Sequence, residues 1–229
     1  MSFTPSPSAP RAIQPFTLLQ EAVSEVGPIY LPLIILISPT IVLPIVQVLD
    51  PDLEAVVSLV NTFILTPIFS SAAIYFVYRY IQNQTVDISG AFSQAFSNIG
   101  NIFVGFLLTV LSVVTGLIGF IIPGIYIAIQ LSFVLCAITI EGDSGIYGMN
   151  TSWDLVKGRW WSVFISMIVP QLFIFIPTVA VGVIACITLG ENATPVASIL
   201  GAVIGLLVTP ILSLYFVKVY LRLKAIAAA

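Results

Sequence analysis

The chain contains no histidine, only two cysteines and very little charge. Charged residues make up 7% of its 229 residues, against about a quarter in a soluble domain, and 59% are hydrophobic. Without histidine it lacks the commonest general base and the commonest zinc ligand. Cys136 and Cys186 lie in separate apolar runs, which favours small hydrophobic side chains over a nucleophile or metal ligands. We therefore predict an integral membrane protein with no cofactor, no metal and no enzymatic activity.

Charge also excludes a class of partner. The net charge is −3, and the few cations are scattered along the chain, so no basic field attracts nucleic acid. The opening residues, 1–15, are rich in Ser and Pro and lack the basic and apolar parts of a secretory signal. They predict a disordered N-terminal tail.

Long apolar windows dominate what remains. A bilayer core about 30 Å thick needs roughly 20 apolar residues in a helix, and six windows approach that length. They cover residues 28–49, 57–78, 102–122, 125–140, 162–187 and 196–217. The fourth window is short, so its true ends are expected to lie beyond it. We predict one membrane domain over residues 16–224, followed by a short tail at 225–229.

The cations predict the orientation of these spans, because Lys and Arg are retained on the cytoplasmic side of inserted helices. All of them fall in the tails or in every second connection: Arg11, Arg79, Lys157, Arg159, Lys218, Arg222 and Lys224. The other connections, at 49–54, 121–124 and 190–195, carry only acidic or neutral residues. Both termini are therefore predicted to be cytoplasmic.

Each hairpin of spans is preceded by a segment with helical amphipathic spacing. The apolar stripes are Phe16, Leu19, Ala22, Val23 and Val26, then Ile88, Phe92, Ala95, Phe96 and Ile99, then Ile146, Met149, Trp153, Val156 and Trp160. Asp143 or Ser144 is placed to cap the third helix. The predicted fold is all-α, with six transmembrane helices as three hairpins, each preceded by an amphipathic interfacial helix.

Two echoes in the sequence indicate an internal repeat. Residues 19–30 match residues 92–103 at a constant offset of 73, with glycine at 27 and 100. "TPIFS" at 66–70 and "TPILS" at 209–213 each stand thirteen residues, Thr to Arg, before Arg79 and Arg222. We predict a threefold repeat of surface helix plus transmembrane hairpin.

The stretch "SWDLVKGRWW", residues 152–161, combines charge with every tryptophan of the chain. Indole rings settle at the depth of lipid headgroups, and Lys or Arg extends toward anionic phosphate. We predict that this stretch contacts membrane lipid or a partner protein, through Trp153, Lys157, Arg159, Trp160 and Trp161. A sharper alternative is a lipid-phosphate pocket in which Lys157 and Arg159 lie near Glu141 and Asp143.

Residues 122–164 resemble the segment typical of the glycerophosphoryl diester phosphodiesterase membrane-domain family and of related bacterial membrane proteins of unknown function. The pattern is Pro-Gly opening a helix, an acidic-Gly pair closing it, then Ser-Trp-x-Leu-x-x-Gly and an aromatic. Here those positions are Pro123, Gly124, Glu141, Gly142, Ser152, Trp153, Leu155, Gly158 and Trp160. The resemblance implies membrane architecture in a bacterial inner or internal membrane. It implies no catalysis, because the phosphodiesterase domain of some members uses histidines that this chain lacks.

Polar residues and prolines inside the spans leave two interpretations open. Asn61, Gln130 and Gln171 either bond between helices or line a polar cavity. Prolines interrupt the spans, and the matching Pro67 and Pro210 are typical of packing kinks or of the broken helices of transporters.

Three functional classes follow from these features. The first is a non-enzymatic scaffold or accessory subunit whose cytoplasmic helices bind anionic lipid or another membrane protein. The second is a small-molecule transporter or permease with a cavity between proline-kinked helices. The third, a lipid-modifying enzyme acting through Glu141, Asp143 or Asp154, lacks a visible nucleophile or metal partner.

Overall fold

A computed structural model describes residues 13–49, 54–85, 87–190 and 193–228, and every regular element in these ranges is helical. The helices are α1 (Pro15–Glu25), α2 (Tyr30–Leu49), α3 (Glu54–Val60), α4 (Thr66–Ile81), α5 (Ile88–Ser97), α6 (Ile99–Gly119), α7 (Ile121–Gln130), α8 (Val134–Cys136), α9 (Gly145–Val156), α10 (Trp160–Leu189) and α11 (Ala193–Ala227). A π-helical turn at Asn61–Leu65 joins α3 to α4, and another at Ala137–Glu141 extends α8. Arg11 lies outside the described residues. So do residues 50–53 and 191–192, which are parts of the predicted outer turns 49–54 and 190–195.

Within the described residues, five helical rods are long and apolar enough to cross a membrane. They are Ala55–Ile81, Ile99–Gly119, Ile121–Glu141, Trp160–Thr188 and Val196–Ala227. A sixth is obtained if α1 and Gly27–Thr40, which are bent by 59° to each other, count as one span. The predicted all-α class is therefore confirmed, and the five or six apolar helices are consistent with an integral membrane protein. The short fourth window lengthens to 121–141 as expected, and α11 continues through 225–227, where a tail was predicted.

The rod at Ile121–Glu141 is the most enclosed of the five. In its most apolar window 44% of the residues are buried, against 11% for the rods at Ile99–Gly119 and Trp160–Thr188. The latter two expose large apolar side chains, Ile118 and Phe175 among them. Such a surface suits hydrocarbon rather than water. We call the Ile121–Glu141 rod the central rod, and α4, α6, α9 and α10 pack against it.

Three of the prolines inside the helices are matched by hydrogen-bond donors from side chains. A proline at position i leaves the carbonyl of residue i−4 without its backbone donor. Three such carbonyls receive a hydroxyl or amide: Ile35 (before Pro39) from Ser38 at 3.0 Å, Thr40 (before Pro44) from Asn61 at 3.2 Å, and Ser166 (before Pro170) from Tyr215 at 2.8 Å. Because hydrocarbon offers no water to replace the lost bonds, these donors help the helices to continue through proline.

Ion pairs tie α1 to the middle of the C-terminal half of α11. The Lys218 ammonium lies 2.8 Å from the Glu25 carboxylate and 3.5 Å from that of Glu21. The Tyr80 hydroxyl, beside Arg79 at the end of α4, donates to the carbonyl of Glu25 at 3.2 Å. The end of α4 therefore meets the end of α1, which Lys218 holds to α11.

The residues that flank α9 contact the C-terminal end of α11. Before α9, the Glu141 carboxylate accepts from the Tyr220 hydroxyl and lies 3.0 Å from the Lys224 ammonium. After α9, the Arg159 guanidinium donates to the carbonyl of Ile226 at 3.5 Å. The segments on both sides of α9 are therefore held to one short stretch of α11.

These contacts gather the described cations at one end of the bundle. We call that region the basic end: Arg79, Lys157, Arg159, Lys218, Arg222 and Lys224.

Each predicted apolar stripe is divided between the protein interior and the surroundings. The buried members are Leu19, Ala22 and Val26 in and just after α1, Ala95 in α5, and Val156 in α9. The exposed members are Phe16, Val23, Phe96, Ile99, Ile146 and Trp153. The three amphipathic helices are therefore partly embedded in the bundle and partly turned outward.

Burial follows the repeat of offset 73 at most positions where it can be checked. Matched pairs share an environment: Ala22 with Ala95 and Ile29 with Ile102 are buried, and Val23 with Phe96 are exposed. Val26 and Ile99 differ, because only Val26 is buried. The α1–α2 and α5–α6 junctions thus place equivalent residues in similar surroundings.

Candidate functional site

The first half of the inner face of α9 packs through glycine, and the second half packs through the buried Leu155 and Val156. A Cβ atom on Gly145 would lie 2.7 Å from the backbone nitrogen of Gly105 in α6. One on Gly148 would lie 2.8 Å from the side chain of Ile138. The backbones of α9 and α6 therefore touch, as small residues permit. Hydropathy missed this face, although the spacing of Gly145 and Gly148 places them one turn apart.

Ser152 holds the break between α7 and α8. Its fully buried hydroxyl donates to the carbonyl of Gln130 at 2.8 Å and accepts from the backbone N–H of Phe133 at 3.1 Å. A helix break leaves such backbone groups without their regular partners. The serine of the "SWDLVKGRWW" stretch is thus a structural bridge to the central rod.

The aromatic residues of that stretch gather around Tyr126, which sequence reasoning did not single out. The rings of Tyr126 and Trp160 stack with centroids 5.7 Å apart, and Trp153 meets Tyr126 edge-on at 6.2 Å. The Trp160 indole N–H donates to the carbonyl of Tyr126 at 3.2 Å. Trp161 packs edge-on to Trp160 at 4.9 Å but remains 70% exposed. The structure therefore brings the three tryptophans together, with Trp161 the most exposed.

Lys157 and Arg159 stand on either side of the turn from α9 to α10. Gly158 between them has φ = +80°, a left-handed conformation that favours glycine. The exposed Lys157 side chain has no salt bridge within the described part of the chain. Arg159 is partly buried and is held by the carbonyl of Ile226. One cation thus faces outward while the other is fixed at the end of α11.

The acidic residues near this turn have other partners. Glu141 is engaged by Tyr220 and Lys224, and the Asp143 carboxylate accepts from the Thr151 hydroxyl at 2.6 Å. Among the described residues, no salt bridge joins either acid to Lys157 or Arg159, and the lipid-phosphate pocket stays a prediction. Ser144 occupies the N-cap of α9, without a side-chain hydrogen bond to the helix.

The polar residues predicted within the spans occupy three separate environments. Asn61 donates to the carbonyl of Thr40, which is an interhelical bond. Gln130 is fully buried and donates from Nε2 to the Tyr126 hydroxyl at 2.9 Å, while its Oε1 has no partner among the described atoms. Gln171 is exposed on α10. The structure does not bring these three side chains together.

A cavity of about 410 Å³ lies instead between α2, α4, α11 and the start of α8. Its lining residues are Ile37, Thr40, Phe69, Ser70, Ala73, Ile74, Ser132, Leu135, Thr209, Leu212, Ser213 and Phe216. We call it the hydroxyl cavity, after the five Ser and Thr residues in this lining. None of the described residues that line it is charged, and it does not include Asn61, Gln130 or Gln171.

The hydroxyl cavity is lined by equivalent residues of the second echo. Three pairs at an offset of 143 contribute to it: Phe69 with Leu212, Ser70 with Ser213, and Ala73 with Phe216. Each set follows one of the matched prolines, Pro67 or Pro210, both of which are buried. The "TPIFS" and "TPILS" echo was the sequence signal for this arrangement, whereas Thr40 and Ser132 carried none.

Comparison with known proteins gives a family but no activity. The model of the family described as "Domain of unknown function (DUF7847)" matches residues 75–223, which is more than half of the chain. The match includes α5 to α10, the whole "SWDLVKGRWW" stretch and one half of the hydroxyl cavity. No curated protein and no solved structure matches the chain. The resemblance to the phosphodiesterase membrane-domain family stays a prediction.

Proposed function

We propose that this chain, which belongs to the family of the domain of unknown function DUF7847, is a non-enzymatic membrane scaffold or accessory subunit that binds anionic lipid. The binding surface, which we call the outer face of α9, consists of Ile146, Tyr147 and Trp153 of α9, Lys157 in the turn that follows, and Trp161 at the start of α10. A single observation carries the proposal: Lys157, which is exposed and has no salt bridge among the described residues, lies in the chain between the exposed Trp153 and Trp161.

This combination suits the boundary between headgroups and hydrocarbon. Indole rings settle at that depth, and each basic residue near an anionic surface contributes about 1 kcal/mol of attraction. The contacts of both flanking segments of α9 with the C-terminal end of α11 support a position of α9 at the membrane surface. We place the basic end and both termini in the cytoplasm, with three hairpins each preceded by an interfacial helix, in a bacterial inner or internal membrane.

The test measures lipid affinity in the purified full chain. Phosphatidylglycerol and phosphatidylcholine are titrated into detergent-solubilised protein, and bound lipid is counted by native mass spectrometry. Lys157→Gln combined with Arg159→Gln should weaken phosphatidylglycerol binding about thirtyfold, because each cation near the lipid surface contributes about 1 kcal/mol, and Arg159 keeps its charge although Ile226 accepts one of its N–H groups. Phosphatidylcholine binding should not change.

A charge-matched control separates the surface from net charge. Arg222→Gln with Lys224→Gln removes the same charge from the basic end but leaves the outer face of α9 intact. An equal loss in both double variants would contradict a specific surface. Phosphatidylglycerol binding could instead be unchanged in the Lys157→Gln, Arg159→Gln variant, while a membrane protein co-purifies only with the unsubstituted chain. That result would favour a scaffold that binds a partner protein.

A second function, a carrier of small molecules, is favoured by the hydroxyl cavity. Matched residues that follow matched prolines line it, and transporters built from repeats place their ligand between the repeats near the middle of the membrane. Residues 209–216 lie midway along the Val196–Ala227 rod, as that function requires. Uptake of a small molecule into proteoliposomes tests this carrier function.

A further inference from the structure

The hydroxyl groups in the cavity offer acceptors rather than donors. Four of the five donate their own hydrogen to a carbonyl of the preceding turn. These bonds are Thr40 to Ile37 at 2.8 Å, Ser132 to Ile129 at 2.9 Å, Thr209 to Gly205 at 2.6 Å, and Ser213 to Thr209 at 2.9 Å. A hydroxyl that has donated its hydrogen keeps lone pairs that accept. A ligand that satisfies these oxygens must therefore bring a donor.

The rest of the lining excludes a charged ligand. Seven of the lining residues are apolar, Phe69 and Phe216 among them, and the described lining offers no opposite charge. Moving an ion into such a site without a partner is strongly unfavourable. The volume of about 410 Å³ is within the range of small-molecule pockets. The ligand is therefore uncharged, largely apolar and able to donate a hydrogen bond.

We propose that the hydroxyl cavity binds an uncharged lipophilic alcohol. Its hydroxyl donates to the oxygen of Thr209 or Ser213, and its hydrocarbon part lies against Phe69, Leu212 and Phe216. Such a molecule partitions into the bilayer, so it reaches the middle of the protein through lipid. The inference names a ligand for the carrier proposal and rests on its hydroxyl cavity. It does not require transport, because a lipid that stays bound would occupy the same cavity.

Photolabelling of the full chain tests the inference. The probe is a long-chain primary alcohol that carries a diazirine and an alkyne, compared with its methyl ether and with the corresponding carboxylic acid. Peptide mapping of the unsubstituted protein should locate the alcohol at residues 69–74 or 209–216. The ether cannot donate and the acid is charged, so each should label this site several-fold less. Preferential labelling by the alcohol does not depend on whether any variant folds.

A pair of variants then tests the acceptors. Thr209→Val with Ser213→Ala removes two oxygens with little change of volume, and should reduce labelling by the alcohol about three- to tenfold. The matched control is Thr115→Val with Ser112→Ala on α6, where the Thr115 hydroxyl donates to Leu111 at 2.7 Å outside the cavity. That control should label as the unsubstituted protein does. Melting temperatures of both variants verify folding.

Two results would overturn the inference: equal labelling by alcohol and ether at the cavity, or labels confined to the lipid-facing sides of α6 and α10. Failure of the carrier function is distinguishable from failure of the site. Labelling at the cavity without uptake of the alcohol into proteoliposomes supports the binding site and contradicts the carrier.

Discussion

The two faces of α9 differ in what holds them and in what they offer. The inner face approaches the bundle most closely through Gly145, Gly148 and Ser152, and the buried Leu155 and Val156 complete it near the end of the helix. The outer face carries Trp153 and Lys157, which are conspicuous in the sequence but exposed in the structure. The closest contacts of the helix are therefore made by its smallest residues, whereas its largest side chains are exposed. Substitutions on the two faces should affect stability and lipid contact separately.

The largest effect is expected at Gly145. Gly145→Val places a branched side chain where even a Cβ atom would lie 2.7 Å from backbone nitrogen, which cannot move aside as a side chain can. Overpacking typically destabilises by about 1–3 kcal/mol, and contact with backbone places this site at the upper end or beyond. We expect a strongly lowered melting temperature in detergent, measured by intrinsic fluorescence, or loss of the folded protein.

Gly100→Ala is the control for this prediction, because nothing lies within 4 Å of a Cβ atom there. Alanine also favours helix over glycine, so the control should be neutral or slightly stabilised. A Gly145→Val protein that melts like the control would show that α9 does not pack against α6 in this way.

A smaller loss of stability is expected at Ser152. Ser152→Ala leaves the Phe133 N–H without its acceptor and removes a donor from the Gln130 carbonyl, inside the protein. An unsatisfied buried polar group costs about 1–3 kcal/mol. Thermal unfolding should show this loss, whereas Ser93→Ala, at an exposed serine of α5, should not. Identical melting of the two variants would contradict the bridging role.

The smallest effect on stability is expected at Trp161, where the outer face meets lipid. Trp161→Phe should change the free energy of unfolding by less than about 0.5 kcal/mol, because the ring is largely exposed. It should nevertheless remove more of the fluorescence quenched by brominated lipid than Trp160→Phe does, since Trp160 is partly enclosed by Tyr126 and Phe164. Equal losses in the two variants would mean that Trp161 does not face lipid.

Much of the architecture was predictable because a bilayer imposes simple rules on sequence. Hydrocarbon accepts only long apolar helices, so the spans at 102–122 and 162–187 correspond closely to α6 and α10. The positions of the 122–164 resemblance fall at turning points: Gly142 and Gly158 have positive φ, and Ser152 bridges the break in the central rod. Local rules of conformation were sufficient to mark these residues.

The partners of the polar residues were not predictable in the same way. The Asn61 side chain carries an amide donor, but nothing in the neighbouring sequence indicated its acceptor. The acceptor is the Thr40 carbonyl, which Pro44 leaves without its backbone donor. Gln171 has the same chemistry, yet it lies exposed on α10. Hydrogen bonds over long sequence separations depend on how helices cross, and crossing is decided by close packing of side chains.

The sequence by itself determined the membrane class, the helical spans, the location of the cations and the echo between the two proline-containing turns. The first three depend on the transfer of residues between water and hydrocarbon, which acts residue by residue, and the echo is read directly from the chain. Only the tertiary structure decided that glycine brings α9 against α6, that the tryptophans gather around Tyr126, and that the two proline-containing helical segments line one cavity. Those features require several distant segments to meet at once, and no single segment carries the information about the shape of the others.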